Sequence, residues 1–443
     1  MEDKDRIVQS IRNAGIVGAG GAGFPTHVKV NCTVDIVIAN GAECEPLLHV
    51  DQLLMAHYAA KVVAGMALVM EATGAAKGVI CLKEHYHNAI AALEQETAGK
   101  PDISLKLMKS YYPAGDEQTM VYDVTGKVVP TGGLPLDVGA VVANVSTLIN
   151  VADAMDGKTV TDKYVTVGGE VETPVTLKVP VGTPYRALVA AAGGPDSEED
   201  YILVIGGPAM GELCEDWNTP VTKTTGGVLV FRKDHPMVLK KTEDCEADLK
   251  LARAVCCQCN MCTLMCPRNQ LGLGVEPHKA MRAAAMGQGD LLGDPNGVFS
   301  CCDCGICSYY ACNFDLSPSR MMKRMKEALT QAGYKPQKQV AGEPNDNIES
   351  TRIPVSRLMS RLGLAKYDKA APLVDKDLPI RIVRIPLKQH IGAPSAPVVR
   401  VGSSVDRGGL IADIPSGNLG ARVHASITGT VSEVTESYIE IHA

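Results

Sequence analysis

The sequence predicts a multidomain protein of mixed α/β and α+β class. Its 443 residues exceed the size at which a single hydrophobic core stops growing, about 250–300 residues. Helix-like and strand-like segments alternate in the first third, two cysteine-rich runs lie further along, and short strand-like runs fill the end. We therefore expect domains at residues 1–155, 156–240, 241–333 and 380–443, with a linker at 334–379.

The first domain is predicted from helices that alternate with buried strands. Short continuous apolar runs between amphipathic segments are typical of a parallel sheet covered by helices. In chain order we expect helix Asp5–Ala14, strand Val34–Ala39, helix Val50–Thr73, strand Gly78–Leu82, helix His87–Thr97 and strand Ile103–Met108.

The pattern changes near residue 160. Two strands, a helix and a further strand predict a small β-grasp-like module: Tyr164–Val171, Val175–Val179, Tyr185–Ala192 and Tyr201–Ile205. A helix at Ser319–Ala332, stopped by Gly333, ends the cysteine-rich region. Residues 334–350 are polar, hold two prolines and predict a linker. The runs Ile380–Ile385, Val398–Val401 and Ser437–Ile441 predict a small all-β domain.

Composition excludes several classes of function. A net charge of −7 argues against binding nucleic acid phosphates, and 4% aromatic residues leave few candidates for stacking on bases. No run of 18 apolar residues exists, and Leu53–Met70 is interrupted by charge, so we expect a core helix there and no membrane span. Fifteen cysteines behind a charged N-terminus without an apolar signal core predict a reducing, cytoplasmic setting.

The cysteine runs are the most specific motif. The first run contains Cys256, Cys259, Cys262 and Cys266 in the spacing C-x2-C-x2-C-x3-C-P, with which bacterial ferredoxins hold [4Fe–4S] clusters. The second repeats the three-cysteine core, with a longer gap before its last cysteine and no proline: Cys301, Cys304, Cys307 and Cys312. Zinc is the main alternative, although zinc ribbons supply two separated C-x2-C pairs. We therefore predict two clusters in a helical, ferredoxin-like domain.

The fourth cysteine of each run is expected to serve the other cluster, as in two-cluster ferredoxins. One cluster would then take Cys256, Cys259, Cys262 and Cys312, and the other Cys301, Cys304, Cys307 and Cys266. Cys257 and Cys302 are left over at matching positions. We expect both to be buried thiols near the clusters, with substitution for a neighbouring ligand as the alternative.

A glycine-rich segment near the N-terminus, Gly18–Gly23, satisfies the string G-x-G-x-x-G. A dinucleotide-binding fingerprint needs a strand before the string and a helix opening inside it, whereas here a helix precedes and Phe24-Pro25 follows. Glycines still allow backbone N–H groups to approach a phosphate or a flat ring. A tight turn without a ligand is the alternative.

Several segments together resemble a known group of flavoproteins. Gly15–Lys29 is similar to the flavin-binding loop of the NADH-oxidising subunit of respiratory complex I and of the C component of Rnf complexes. Asn40–Pro46, Tyr112–Glu117 and Asn144–Thr147 resemble further FMN-site segments, and Gly206–Gly211 resembles the β-grasp (SLBB) region. The Rnf C component carries its barrel-sandwich domain first. Here the comparable stretch is last, an order that resembles the PduS-type cobalamin reductases of propanediol-utilisation microcompartments.

The resemblance implies a fold and a set of site residues. The fold is a complex-I-type FMN-binding α/β domain, an SLBB-like module, a two-cluster domain and a barrel-sandwich-like tail. Carried over by position, residues that line FMN would be Gly18, Gly20, Gly21, Gly23 and Lys29. Those that hydrogen-bond it would be Asn40, Glu43, Asp116, Asn144 and Thr147. Those that contact NADH would be Phe24, by stacking, and Glu45 and Glu117, through ribose hydroxyls.

The resemblance also implies a function without a nucleophilic side chain. NADH would pass electrons through FMN and two [4Fe–4S] clusters to cobalamin, reducing it toward cob(I)alamin for adenosylcobalamin recycling inside a microcompartment. The acceptor partner would be a corrinoid or a cobalamin adenosyltransferase, with shell proteins as further partners. The alternatives are an Rnf-like electron-transfer protein that serves ferredoxin or a quinone, and a scaffold that only carries clusters.

Overall fold

The computed structural model describes residues 2–374 and 378–443. The predicted linker therefore has its residues 375–377 outside the described part. Four modules follow one another along the chain.

The first module is a parallel four-stranded sheet covered by helices, in the order β3-β2-β1-β5. Because β1 and β5 run parallel with Asn40 beside Asn144, their carboxyl ends meet at one edge, where ligands of open α/β sheets bind. The helices are α1 (Glu2–Asn13), α2 (Thr26–Lys29), α3 (Val50–His57), α4 (Ala59–Thr73), α5 (His87–Thr97), α6 (Glu117–Thr125) and α7 (Val145–Met155). The strands are β1 (Ile36–Gly41), β2 (Lys77–Lys83), β3 (Ile103–Met108), β4 (Tyr111–Tyr112) and β5 (Ala140–Asn144).

The single helix predicted over Val50–Thr73 is wrong, because the chain bends by 94° between α3 and α4. Tyr58 leaves the helical conformation at the bend, and its ring lies 5.8 Å from that of Tyr164 in the next module. In the second half, Gly65 lets α4 approach α7 closely, since a Cβ there would lie 2.0 Å from the Leu148 carbonyl oxygen. No single helix in residues 2–374 and 378–443 is long and apolar enough to span a bilayer, although this bent pair passes on composition.

The second module confirms the predicted strand–strand–helix–strand order. Its elements are β6 (Asp162–Gly169), β7 (Val175–Pro180), α8 (Tyr185–Ala191), β8 (Tyr201–Ile205), β9 (Glu212–Cys214) and β10 (Gly227–Arg232). A short strand from later in the chain, β12 (Leu373–Val374), adds to the edge, which gives the order β12-β7-β6-β10-β8-β9. The antiparallel hairpin β6–β7 beside the parallel pair β6–β10 is typical of a β-grasp arrangement.

The third module is helical. It contains α9 (Pro236–Thr242), α10 (Cys245–Val255), α11 (Met261–Leu264), α12 (Pro267–Gln270), α13 (Pro277–Met286), α14 (Pro295–Phe299), α15 (Ile306–Tyr309) and α16 (Pro318–Gln331). Met321 and Met322 of α16 are buried in its core against α13. Each cysteine run leads into a one-turn helix, α11 or α15, that carries its third cysteine, Cys262 or Cys307, so the two halves repeat the same loop–helix unit.

Residues 334–374 do not form the free linker that the sequence suggests. Ile353 in β11 (Ile353–Pro354) pairs with β4, and Leu358 in α17 (Val355–Arg361) is fully buried. Both belong to a core that also holds residues of the first, second and third modules, among them Tyr112, Phe231 and Ile306. The segment therefore fastens modules together, a role that its polar first half does not reveal.

The C-terminal module has two small sheets, β13-β19-β18-β15 and β14-β16-β17. Its strands are β13 (Ile382–Pro386), β14 (Ala396–Pro397), β15 (Ser404–Val405), β16 (Leu410–Asp413), β17 (Val423–His424), β18 (Gly429–Val434) and β19 (Tyr438–His442). The strand predicted at Val398–Val401 is wrong, since β14 ends before it. The module packs on the glycine-rich segment, where Ile391 N donates to the Gly23 carbonyl oxygen at 3.2 Å.

Candidate functional site

A cavity of about 670 Å³ lies at the carboxyl ends of β1 and β5. That size falls within the usual range for small-molecule and cofactor sites, about 300–1,000 Å³. Its walls come from the first module, from the β-grasp loops at Gly206–Gly207 and Thr224–Gly226, and from the second cysteine loop at Cys302 and Cys304. Eight residues predicted from the sequence line it: Gly20, Gly21, Asn40, Glu43, Glu45, Asp116, Glu117 and Asn144.

The glycine-rich segment presents bare backbone to this cavity. A Cβ on Gly21 would meet no atom within 4 Å, whereas one on Gly20 would lie 2.7 Å from Asn144 Nδ2. The loop is held from behind, because Ala19 N donates to Thr147 Oγ1 at 3.0 Å and Lys163 Nζ donates to the Ala19 carbonyl oxygen at 2.8 Å. A rigid cradle without side chains fits the approach of a flat ring or a phosphate.

Five of the predicted residues lie outside the lining: Gly18, Gly23, Phe24, Lys29 and Thr147. Gly18 closes the loop by donating to the Phe24 carbonyl oxygen, and Gly23 faces the C-terminal module. Phe24 is 37% exposed, and Lys29 Nζ pairs with Glu117 Oε1 at 2.8 Å. In the structure these residues support the loop or stand beside the cavity, and their contact with a cofactor stays a prediction.

Buried ionisable groups gather on one wall. Burial, and then the neighbouring Asp51 charge, raises the pKa of Glu43 well above its usual value. Burial also raises the pKa of Asp51 to about 6, against a hydrogen bond from Asn144 Nδ2 at 2.9 Å and the nearby Lys163. Burial lowers the pKa of Lys163 to about 8. This wall can therefore hold or release protons near neutral pH.

Glu45 has partners that differ from the predicted ribose hydroxyls. One of its carboxylate oxygens accepts from the Tyr112 hydroxyl at 3.0 Å, and backbone N–H groups of Ala209 and Met210 donate at 2.9 and 3.1 Å. The Tyr112 hydroxyl also lies 2.8 Å from the Cys304 carbonyl oxygen. Glu45 thus joins the first module, the β-grasp loop and the second cysteine loop.

Asp116 also has protein partners. Its carboxylate receives two hydrogen bonds from Arg268 Nε, at 3.1 and 2.9 Å, and one from Arg268 Nη2 at 2.6 Å. It caps α6 as well, by accepting from the Thr119 N–H. Burial alone would raise the pKa of Asp116, but the charge and hydrogen bonds of Arg268 hold it below its usual range.

The two cysteine loops have the same backbone conformation. Residues with positive φ stand at equivalent places, Gln258 and Asn260 in the first loop, Asp303 and Gly305 in the second. Each pair curls its loop immediately before the one-turn helix, α11 or α15. Positive φ costs free energy at Gln, Asn and Asp. We therefore attribute its recurrence in both loops to a function that the two loops share.

The curls gather the thiols into two sets. The four predicted ligands Cys256, Cys259, Cys262 and Cys312 line one small cavity, and the spare Cys257 lines it as well. Burial, and then the thiols of Cys312, Cys256 and Cys259, raises the pKa of Cys262 to about 12. No three His, Cys, Asp or Glu side chains in the described residues converge closely enough to hold a single ion. The four thiols instead surround a space, which is the donor arrangement that fits a cluster.

The second set is deeper. Cys266, Cys304 and Cys307 are buried, and Cys301 is half-buried. Burial, and then the Cys301 and Cys266 thiols, raises the pKa of Cys307. We call this set the proximal thiols, because Cys304 also lines the large cavity, and the first set the distal thiols. Cys312 therefore lies beside the first cysteine run and Cys266 beside the second, and which cluster each of them serves stays a prediction.

The two spare cysteines differ from each other. Cys257 is exposed, so the prediction that both are buried is wrong for it. Cys302 is half-buried, and a hydrogen bond with its thiol is the main factor that raises the pKa of Cys304. Cys302 therefore lies beside the proximal thiol Cys304, and both residues line the large cavity.

Sequence reasoning missed Lys163 and Arg268 as site residues, and it placed Tyr112 in an FMN-site segment without predicting its contacts. Each is a single residue whose partner lies far along the chain: 144 positions for Lys163, 192 for Tyr112 and 152 for Arg268. Local spacing carries no signal for such contacts. The only hint was the position of Arg268 two residues after Cys266.

Family models match the modules in the order the structure shows. The Nuo51 FMN-binding domain matches residues 11–153, the SLBB domain residues 164–212, the 4Fe-4S dicluster domain residues 255–317 and the RnfC barrel sandwich hybrid domain residues 365–443. These matches confirm the predicted fold class: a flavin-type α/β domain, a β-grasp module, a cluster domain and a barrel-sandwich tail.

Similar proteins extend over the whole chain. "Cobalamin reductase PduS" of Salmonella typhimurium is 42% identical over 99% of this chain and 96% of that protein. The protein of the same name from Citrobacter freundii is 42% identical over 100% of this chain and 97% of its own. The C component of the Na(+)-translocating ferredoxin:NAD(+) oxidoreductase complex of Acetobacterium woodii is 35% identical over 60% of this chain and 58% of that protein. The chain therefore belongs to the PduS cobalamin reductase family.

Proposed function

We propose that this protein is an NADH-dependent cobalamin reductase that carries FMN in the large cavity and a [4Fe–4S] cluster on each set of thiols. The observation that carries the proposal is the shared wall, since Cys302 and Cys304 of the second cysteine loop line the same cavity as Gly20 and Gly21. When bound, FMN supplies the conversion of a hydride's electron pair into the single electrons that clusters accept.

We expect the protein's own residues to bind FMN and to enclose it in the cavity. The bare backbone at Gly20 and Gly21 admits a ring or phosphate, and the β-grasp loop at Gly206–Gly207 covers the cavity from the other side. Glu43, Asp51 and Lys163 form the wall that holds or moves protons. Glu117, in the cavity lining, and Phe24, outside the lining, are the candidates for NADH contact.

The two thiol sets differ in how deeply they are buried, which suggests the order in which electrons would reach them. Three of the four proximal thiols are buried and one of these, Cys304, lines the large cavity, whereas Cys259 of the distal set is exposed. The distal set therefore offers the exit to an external acceptor. We take that acceptor to be cob(III)- or cob(II)alamin, free or on an adenosyltransferase, in a cytoplasmic microcompartment with shell proteins as neighbours, because the full-length relatives are named cobalamin reductases.

Anaerobic purification followed by flavin, iron and sulfide analysis tests the cofactors. We expect about one FMN, eight irons and eight sulfides per chain, bleaching of the flavin by NADH, and reduction of cob(II)alamin without membranes. Reduction of ferredoxin but not of cobalamin would favour the Rnf-like alternative, to which the Acetobacterium woodii relative points. Protein without flavin would leave a scaffold.

A further inference from the structure

Arg268 connects two regions that the cofactors would occupy. It lies in the first turn of α12, directly after Cys266 and Pro267, with its side chain 12% exposed and that of Asp116 6% exposed. The guanidinium grips both carboxylate oxygens of Asp116 from Nε and Nη2, at 2.9 and 2.6 Å. Such a bidentate pair fixes orientation as well as distance.

The other end of the same guanidinium reaches the second cysteine loop. Arg268 Nη1 donates to the Ser300 carbonyl oxygen at 3.2 Å, and Ser300 directly precedes Cys301. Burial lowers the pKa of Arg268, but the Asp116 charge and then the Cys302 thiol outweigh burial and raise it. One cation therefore contacts the start of the second cysteine loop and a wall residue of the large cavity.

Stability alone is a weak reason for this pair. A buried ion pair often contributes little more than apolar residues of the same volume would, because desolvation offsets the attraction. Its position is the more informative property. Asp116 caps α6 at the cavity, so the pair is a polar tie between the cavity wall and the proximal thiols.

We propose that Arg268 is a positioning residue that holds the second cysteine loop against the cavity wall and, with Asp116, sets the reduction potential of the cluster on the proximal thiols. The inference rests on the proposed function, because it requires that cluster. Reduction adds one negative charge to a cluster, so the nearby Arg268 cation favours the reduced form and the nearby Asp116 anion opposes it.

Variants of the pair give effects of opposite sign. R268Q leaves the Asp116 anion alone and lowers the reduced-to-oxidised ratio of the proximal cluster, at a fixed ambient potential, by about tenfold. D116N leaves the Arg268 cation alone and raises the same ratio by about tenfold. The double variant D116N/R268Q carries neither charge and stays close to the unmodified protein. Loosening of the fold alone cannot produce opposite signs.

The experiment is an EPR-monitored redox titration of the anaerobic holoprotein. R320Q is the matched control, since the partly buried Arg320 pairs with the buried Asp248 in the same module and also donates to the Lys240 carbonyl oxygen. We expect R268Q and D116N to shift the titration midpoint of one cluster signal in opposite directions and to leave the midpoint of the other signal unchanged. In R320Q both midpoints should stay unchanged. If R268Q does not fold, D116N, R268K and the double variant carry the test, with R268K expected to keep the potential.

Two failures are distinguishable. If the unmodified protein shows no cluster signal and no iron, the proposed function is wrong. If both clusters are present and the potential stays the same, or moves in the same direction, in D116N and R268Q, the proposal for Arg268 is overturned while the proposed function stands.

Discussion

The two cysteine loops share a backbone conformation but differ in depth and in contacts. The second cysteine loop lines the large cavity with Cys302 and Cys304, and the Tyr112 hydroxyl lies 2.8 Å from the Cys304 carbonyl oxygen. The first cysteine loop carries two exposed cysteines, Cys257 and Cys259. The same structural unit therefore occurs twice, in different surroundings. We call the proximal thiols together with the large cavity the inner station, and the distal thiols the outer station.

The sharpest way to break this comparison is to remove one thiol from each set. C304A and C259A should each lose about half of the iron, because each removes one ligand of one cluster. C304A should also stop electrons before they reach the distal cluster, so cobalamin reduction falls to background although NADH still bleaches the flavin. In C259A the proximal cluster should still be reduced. Iron analysis and EPR measure both results.

C257A is the matched control for these two variants, since Cys257 lines the same small cavity as the distal thiols but is exposed and lies outside the ferredoxin spacing. It should keep both clusters. Loss of a cluster in C257A would make it a ligand and would contradict the assignment of the distal set.

The cradle at the inner station is tested by G21A. A Cβ at Gly21 meets no protein atom but points into the space of the cavity, so we expect flavin affinity to fall about 10-fold or more. The stability of the flavin-free protein should change by less than about 0.5 kcal/mol. Fluorescence titration with FMN measures the affinity. G289A, at a distant glycine that also has open space, should leave it unchanged.

Y112F sharpens the comparison because it loosens only the inner station. The hydroxyl that joins Glu45 to the Cys304 carbonyl oxygen is lost, which should cost about 1 kcal/mol and slow the reduction of the proximal cluster. Stopped-flow absorbance after mixing with NADH measures the rate. Y438F removes an exposed hydroxyl bound to Glu433 and should change neither quantity.

The last prediction concerns the titratable wall of the cavity in the flavin-free protein. Burial raises the pKa of Asp51 to about 6 in the folded protein, so its contribution to stability is complete at low pH and is lost as pH rises through 6. D51N does not titrate. Relative to D51N, the free energy of unfolding of the flavin-free protein should therefore fall by up to about 3 kcal/mol between pH 4 and pH 7. Thermal melts across this range measure it, and parallel pH profiles would contradict it.

The sequence predicted best what is written locally. The strands Ile103–Met108 and Tyr201–Ile205 have their predicted bounds, because Tyr201–Ile205 is a continuous apolar run and Ile103–Met108 alternates apolar residues with Ser104 and Lys106. The thiol sets follow from spacing, since a loop that curls around a cluster needs cysteines at fixed intervals. The flavin-site residues came from resemblance, and the structure places eight of the thirteen in the cavity lining.

What the sequence could not predict depends on contacts between distant segments. No proline or glycine near Tyr58 marks the bend in the predicted helix Val50–Thr73, where the Tyr58 ring lies 5.8 Å from that of Tyr164 in the next module. The segment around Leu358 is buried only because strand β11 finds β4, more than 240 positions earlier. Arg268 and Tyr112 gain their roles in the same way.

The order of reduction of the two clusters tests the central claim most directly. Rapid-freeze EPR of the anaerobic holoprotein, sampled after mixing with NADH, separates the two signals, which C304A and C259A assign. We predict that the signal absent from C304A rises first and the signal absent from C259A follows. If the distal signal rises first, or rises unchanged in C304A, electrons do not enter through the inner station and the account is wrong.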